Sequence, residues 1–147
     1  LETVFDISLP SRPCRSESSG GRAALWLGPD ETLLIAPENE GAALYCALKE
    51  AAGSRGSLVD VSHRQAGLIV EGAKAACALN AACPLDLDEA GFPVGMCTRT
   101  VFAKAEIVLW RSALHVFRME VARSFAPYVA ALLTEIMHDI AKQAGVT

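Results

Sequence analysis

The alternation of apolar and polar positions is most regular near the C-terminus of the chain. Phe125, Tyr128, Val129, Leu132, Leu133, Ile136, Met137 and Ile140 recur at three- and four-residue spacing, the period that gathers side chains into one buried stripe of an α-helix. Ser124 stands where an N-cap is wanted. Pro127 falls in the first turn, where backbone donors lack intrahelical partners. Just upstream the period changes to two. Phe117, Met119 and Val121 alternate with Arg118, Glu120 and Ala122, the pattern of a strand whose second face is wet or meets a polar partner. Together with 98–103 and 106–111, the segment 115–122 predicts three consecutive strands.

In the first half, "AALWLGPDETLLIAP" places two short apolar runs on either side of a Gly-Pro-Asp turn, which predicts a β-hairpin over 24–27 and 32–36. Asn39 is positioned to cap a helix over 41–52, with Leu44, Tyr45, Leu48 and Ala52 on one face. "GSRG" ends that helix. Leu58 to Val61 and then "GLIVEG" read as strands, and "AKAACALNAAC" as an Ala-rich helix over 73–82 that Pro84 stops. Residues 10–22, "PSRPCRSESSGGR", are Pro, Ser, Gly and charge, the composition of a linker. The expected organisation is an extended or mobile N-terminal arm over 1–23, a single α+β domain over 24–142 and a C-terminal tail over 143–147. Strands come in hairpin clusters with helices between them, so the expected fold is a mixed or antiparallel sheet with helices packed on one side.

Composition narrows the function. The chain has 147 residues, 52% hydrophobic and 20% charged, which fits one globular domain and argues against disorder. The apolar share suggests that a partner covers part of the surface. A net charge of −4, without a basic stripe, argues against nucleic acid as a partner. No apolar run approaches the roughly 18 residues of a membrane span, and the opening "LETVFDISLP" has no apolar signal core. The five cysteines include no C-x-x-C pair. They read as reduced thiols, most of them small core residues, and imply a cytoplasmic protein without a structural zinc site.

The candidate chemistry is thin. Ser62 and His63 are adjacent, and neighbours on an extended strand point to opposite faces, so His63 is poorly placed as a base for Ser62. Asp86, Asp88 and Glu89 lack the ligand register of a calcium loop and read as an exposed acidic turn. Neither phosphate-binding glycine motif occurs. Cys83 and Cys97 would lie near each other if the helix and strand they end and begin run side by side. No cation or helix N-terminus is evident to activate either thiol. Arg64, Arg111 and Arg123 each sit at a strand end, where an arginine is either solvated or a planar anchor for a partner's carboxylates. Trp26 and Trp110 are either core or partner-facing. No catalytic, cofactor or metal-binding residue is assigned.

Five segments in order, "WLGPDETLLIAP", "LVDVSHRQAGLIVEG", "CPLDLDEAGFPVGMCTRT", "VLWR" and "RSFAPYVAALL", resemble the gamma subunit of heterotetrameric sarcosine oxidase. The resemblance covers about residues 25–133. It implies a non-catalytic assembly subunit that packs mainly on the alpha subunit, with beta and delta in the same complex. Such complexes demethylate sarcosine oxidatively to glycine and pass the one-carbon unit to tetrahydrofolate. FAD, FMN and NAD would belong to the alpha and beta subunits and zinc to delta, with no cofactor on this chain. The implied fold is similar to the folate-binding domain of the glycine-cleavage aminomethyltransferase family. In that family the "CPLDL" run is a connection rather than a catalytic motif, and the position held here by Asp88 is often His. The expected partner-interface residues are Arg64, Asp88, Trp110, Arg111 and Arg123. An isolated chain is a candidate homodimer. The alternative is a stand-alone folate or one-carbon-binding module, in which Arg111 with Asp60 or Glu71 would recognise the ligand.

Overall fold

Two antiparallel sheets, one of three strands and one of four, organise the described residues. A computed structural model describes residues 2–54 and 56–145. They fall into two compact units, Leu1–Val61 and Ser62–Thr147. The boundary expected at 23/24 falls within the first of these units.

The first unit runs α1 (Glu2–Phe5), β1 (Ser16–Ser19), β2 (Arg22–Gly28), β3 (Glu31–Ile35) and α2 (Gly41–Ala52). β2 and β3 form the expected hairpin, with a bulge between Trp26 and Gly28 as the ladder enters the turn. The segment expected as a mobile arm is tied down. Phe5 and Ile7 are buried with Ala24 and Leu48. Arg22 donates to the Phe5 carbonyl at 2.9 Å and to Glu40 Oε2 at 2.9 and 2.8 Å, and β1 pairs with β2.

Two local expectations fail. Residues 38–40 form a 3-10 turn that starts at Pro37, so α2 begins after it with Glu40 at the N-cap, and Asn39 caps nothing. Residues 58–61 pair with neither sheet. Leu58 packs on the apolar cluster while Val59 is exposed. Apolar alternation without a ladder partner leaves an extended segment, not a strand. α2 ends where expected, at Gly53 with φ of 53°; Arg55, within the "GSRG" stop, lies outside the described residues.

The second unit contains β4 (Gln65–Glu71), α3 (Ala75–Asn80), β5 (Cys97–Phe102), β6 (Ala105–Ala113), β7 (Val116–Ala122) and α4 (Ala126–Gln143). Its strands lie in the order β4-β7-β6-β5, all antiparallel. The register sets Leu68 beside Met119 and Met119 beside Leu109, and likewise Val70 beside Phe117 and Ile107 beside Val121. These residues share one face. Ala75 and Leu79 of α3 and Val129 and Leu133 of α4 complete the cluster on that side, so both helices do cover one face of this sheet.

On the other face Cys97, Val108, Trp110 and Glu120 are also buried. Only part of the α4 stripe is buried. Phe125, Tyr128 and Met137 are 44%, 41% and 55% exposed. At about 100° per residue, Tyr128 and Met137 fall on opposite sides of the helix, a spread wider than one sheet face covers. Ser124 does not cap α4. Phe125 takes that position and donates no side-chain bond, its own N–H going to the Ala122 carbonyl. Of the expected tail, Gln143 ends α4, and residues 146–147 lie outside the described residues.

Candidate partner interface

The Cys- and Asp-rich segment between α3 and β5 is the most chemical-looking part of the sequence, and it is folded around Arg111. A bulge between Arg111 and Ala113 extends β6 beyond Arg111, so this residue is interior to the strand rather than at its end. On the helix-covered face its guanidinium lies 5.0 Å from the Phe117 ring centroid. Nη1 donates to the carbonyls of Phe92 at 2.8 Å and Leu87 at 3.4 Å, while Nε donates to the Leu114 carbonyl at 3.1 Å. The main chain of Arg111 takes part as well: its N–H donates to the Met96 carbonyl, and its carbonyl accepts from Gly95. The loop's own apolar residues, Leu87 and Phe92, are buried in the core. Arg111 is 4% exposed. Its bonded donors all meet main-chain carbonyls of this chain, so it acts as a brace between the two connections.

The remaining expected residues separate in space. Trp110 alternates with Arg111 and points to the opposite face, where it is 8% exposed and its Nε1 has no hydrogen-bond partner. That burial fits the core alternative. Asp88 is exposed, and its N–H donates to Asp86 Oδ1 while its carbonyl accepts from Gly91 and Phe92. The acidic run is thus a side-chain-stabilised turn. Arg64 and Arg123 are brought together. They flank the pair Gln65–Ala122 where β4 begins and β7 ends, joined by Arg123 N–H to the Arg64 carbonyl at 2.9 Å. Both are exposed, and Phe125 and Tyr128 are exposed at the start of α4 just beyond. Forked cations beside large aromatic groups are what partner hot spots are made of.

The enzyme-like pairs do not assemble. Ser62 and His63 lie in an exposed turn leading into β4. Cys83 packs on the helix side, with Sγ 4.0 Å from Thr100 Oγ1. Cys97 is in register with Trp110 on the other face, so the two sulfurs lie on opposite sides of β5. Among the described residues no group of three or more His, Cys, Asp or Glu side chains is arranged to hold a metal ion. No helix among them is long and apolar enough to cross a membrane.

One arrangement had no signal in the sequence alone. Arg118 and Glu120 pair at 2.6 Å across the face of β7 away from the helices. Gly67 is in register with Glu120, and a Cβ there would meet Arg118 Nη2 at 2.8 Å and Glu120 Oε1 at 3.1 Å. The absence of a side chain at 67 lets this pair lie flat over β4.

Residues 6–139 match the sarcosine oxidase, gamma subunit family. The chain belongs to that family. It is 35% identical over 124 residues to the sarcosine oxidase subunit gamma of Corynebacterium sp. strain P-1, and 37% identical over 120 residues to that of strain U-96. These matches cover 84% and 81% of this chain but 60% and 58% of the relatives, so the chain spans somewhat over half of their length. Among solved structures, a chain of the heterotetrameric sarcosine oxidase from Corynebacterium sp. U-96, in complex with pyrrole 2-carboxylate, superposes with a TM-score of 0.87 at 33% identity. That match covers 93% of this chain and 70% of the other. The segment from "CPLDL" to "MCTRT" is accordingly a braced connection in a member of this family.

Proposed function

We propose that this chain is the non-catalytic gamma subunit of a heterotetrameric sarcosine oxidase and acts in assembly, packing on the alpha subunit with beta and delta in the same complex. The observation that carries the reading is the superposition on a chain of such an enzyme over 93% of this chain. The complex would demethylate sarcosine oxidatively to glycine and pass the one-carbon unit to tetrahydrofolate. FAD, FMN and NAD would reside on alpha and beta and zinc on delta, in the cytoplasm. The fold is taken to be similar to the folate-binding domain of the aminomethyltransferase family, without a folate site of its own. Within this chain, the surface around Arg64 and Arg123 is the candidate contact with carboxylates of the alpha subunit, with Phe125 and Tyr128 supplying apolar area. Size-exclusion and pull-down with the cognate alpha subunit at micromolar concentration test the reading. A stoichiometric complex supports it, weakened at least tenfold in R64E/R123E. No complex overturns it.

A further inference from the structure

β4 is an edge of the four-stranded sheet, paired on one side only, with β7. Which of its backbone groups face outward follows from two hydrogen bonds. In the register that pairs Gln65 with Ala122 and Glu71 with Val116, the flanking pairs are Arg64 with Arg123 and Gly72 with His115. Arg123 N–H donates to the Arg64 carbonyl and Gly72 N–H to the His115 carbonyl, each at 2.9 Å. Residues 64 and 72 are therefore in hydrogen-bonded pairs, and by alternation so are 66, 68 and 70. The N–H and C=O groups of Gly67, Ile69 and Glu71 point away from the sheet. All three residues are exposed, Ile69 at 63%.

Edge strands are usually blunted by lysine, proline or a bulge. β4 reads QAGLIVE, without lysine or proline, and its ladder with β7 has no register shift. The bulge of this sheet lies in β6 instead.

From this geometry we infer that β4 is a self-pairing edge: two copies of the chain join antiparallel through β4, with the two-fold axis at Leu68, to form a continuous eight-stranded sheet. This register pairs all seven residues of each strand, and the side chains are self-complementary in it. Gly67 faces Ile69 of the second copy, so the exposed isoleucine comes to rest beside the Arg118 side chain that lies over Gly67. Gln65 faces Glu71 of the second copy, so the strand's only charged residue never opposes itself. The half-exposed Leu68 meets its own copy on the helix-covered face. The interface is isologous and closes at two copies, with main-chain hydrogen bonds supplying the affinity as in strand addition generally. The inference rests on the geometry and sequence of β4 and not on the subunit reading. A chain that stays monomeric leaves the subunit reading intact, and failure to find an alpha-subunit complex leaves the β4 edge intact.

Sedimentation equilibrium of the purified chain across the micromolar range tests it, with three variants. Ile69→Pro removes an outward N–H that the β4–β7 ladder does not use, and Ile69→Lys adds the usual edge guard at an exposed position; circular dichroism checks that both fold. Leu68→Cys places two thiols on the two-fold at a non-hydrogen-bonded pair, where the Cα separation of about 4.5 Å admits a disulfide. A C46S/C77S background removes the exposed native thiols. The expected result is a concentration-dependent dimer, a dissociation constant raised at least tenfold by either Ile69 variant, and a disulfide between the two copies of the Leu68→Cys variant on oxidation. A monomer throughout overturns the inference. A dimer indifferent to the Ile69 variants, or one in which the Leu68→Cys variant does not cross-link, overturns it as well.

Discussion

A guanidinium can be buried only if its donors find acceptors, and Arg111 meets this condition with carbonyls from two different connections, Leu87 and Phe92 before β5 and Leu114 after β6. Removing it would leave the Leu87 and Phe92 carbonyls buried without this donor as well as deleting charge-assisted bonds of about 1.5–3 kcal/mol each. R111M is expected to lower unfolding stability by about 3 kcal/mol or more. R111K should recover only part of that, because one ammonium cannot fork to the same acceptors. Urea denaturation measures both, and a loss below about 1 kcal/mol in R111M would contradict the brace.

Gly67 makes a second residue-scale case. G67A directs a methyl at the end of Arg118, which has to move off Glu120. Because that end is flexible and 33% of the Arg118 side chain is exposed, the expected cost is modest, about 1 kcal/mol. Pairing with R118A in a double-mutant cycle should absorb most of it; full additivity would show that Gly67 matters for another reason. Neither role was legible in the sequence. An Arg-Ser after an apolar run looks the same whether a strand ends there or bulges and continues. The need for a glycine at 67 exists only once β7 lies beside β4.

At the scale of elements, local pattern carried most of the information. The β2–β3 hairpin, α2, the three-strand run from β5 to β7 and the existence of α4 all follow from spacing and turn residues. What spacing could not give was the partner of each element. Residues 58–61 have the composition of a strand and join no strand ladder. Ser124 and Asn39 have the chemistry of caps, yet a 3-10 turn and a simple turn occupy the approaches to α2 and α4. The apolar stripe of α4 shows the same limit. Leu133 is 7% exposed and Met137 55%, although the periodicity treats them alike. L133A is expected to cost about 2–4 kcal/mol, and M137A less than about 0.5 kcal/mol. Equal effects in thermal or urea unfolding would mean that α4 is seated on a different face.

For the whole molecule, the N-terminus shows what composition leaves out. The Pro/Ser/Gly stretch does look like a linker, but the residues before it supply Phe5 and Ile7 to an apolar cluster, and Arg22 holds the Phe5 carbonyl. An apolar pattern at Val4, Phe5, Ile7 and Leu9 was the available signal. The fold separates the expected partner residues for a physical reason. Strand-end arginines look equivalent in sequence, and only the fold separates Arg64 and Arg123, exposed at one end of the second sheet, from the internal Arg111. Candidate chemistry was sparse in the sequence, and its components, Ser62 with His63 and Cys83 with Cys97, are not brought together as a working site. A chain of this kind, matched over 93% of its length by a chain of a multisubunit oxidase, is read best through what it assembles with.

The decisive measurement is co-expression of this chain with the alpha, beta and delta subunits of the same organism's sarcosine oxidase, purified through a tag on this chain. The expected product is a yellow complex that consumes oxygen when sarcosine is added. A colourless chain recovered alone, beside soluble and flavin-loaded alpha and beta subunits in the unbound fraction, would contradict the subunit reading.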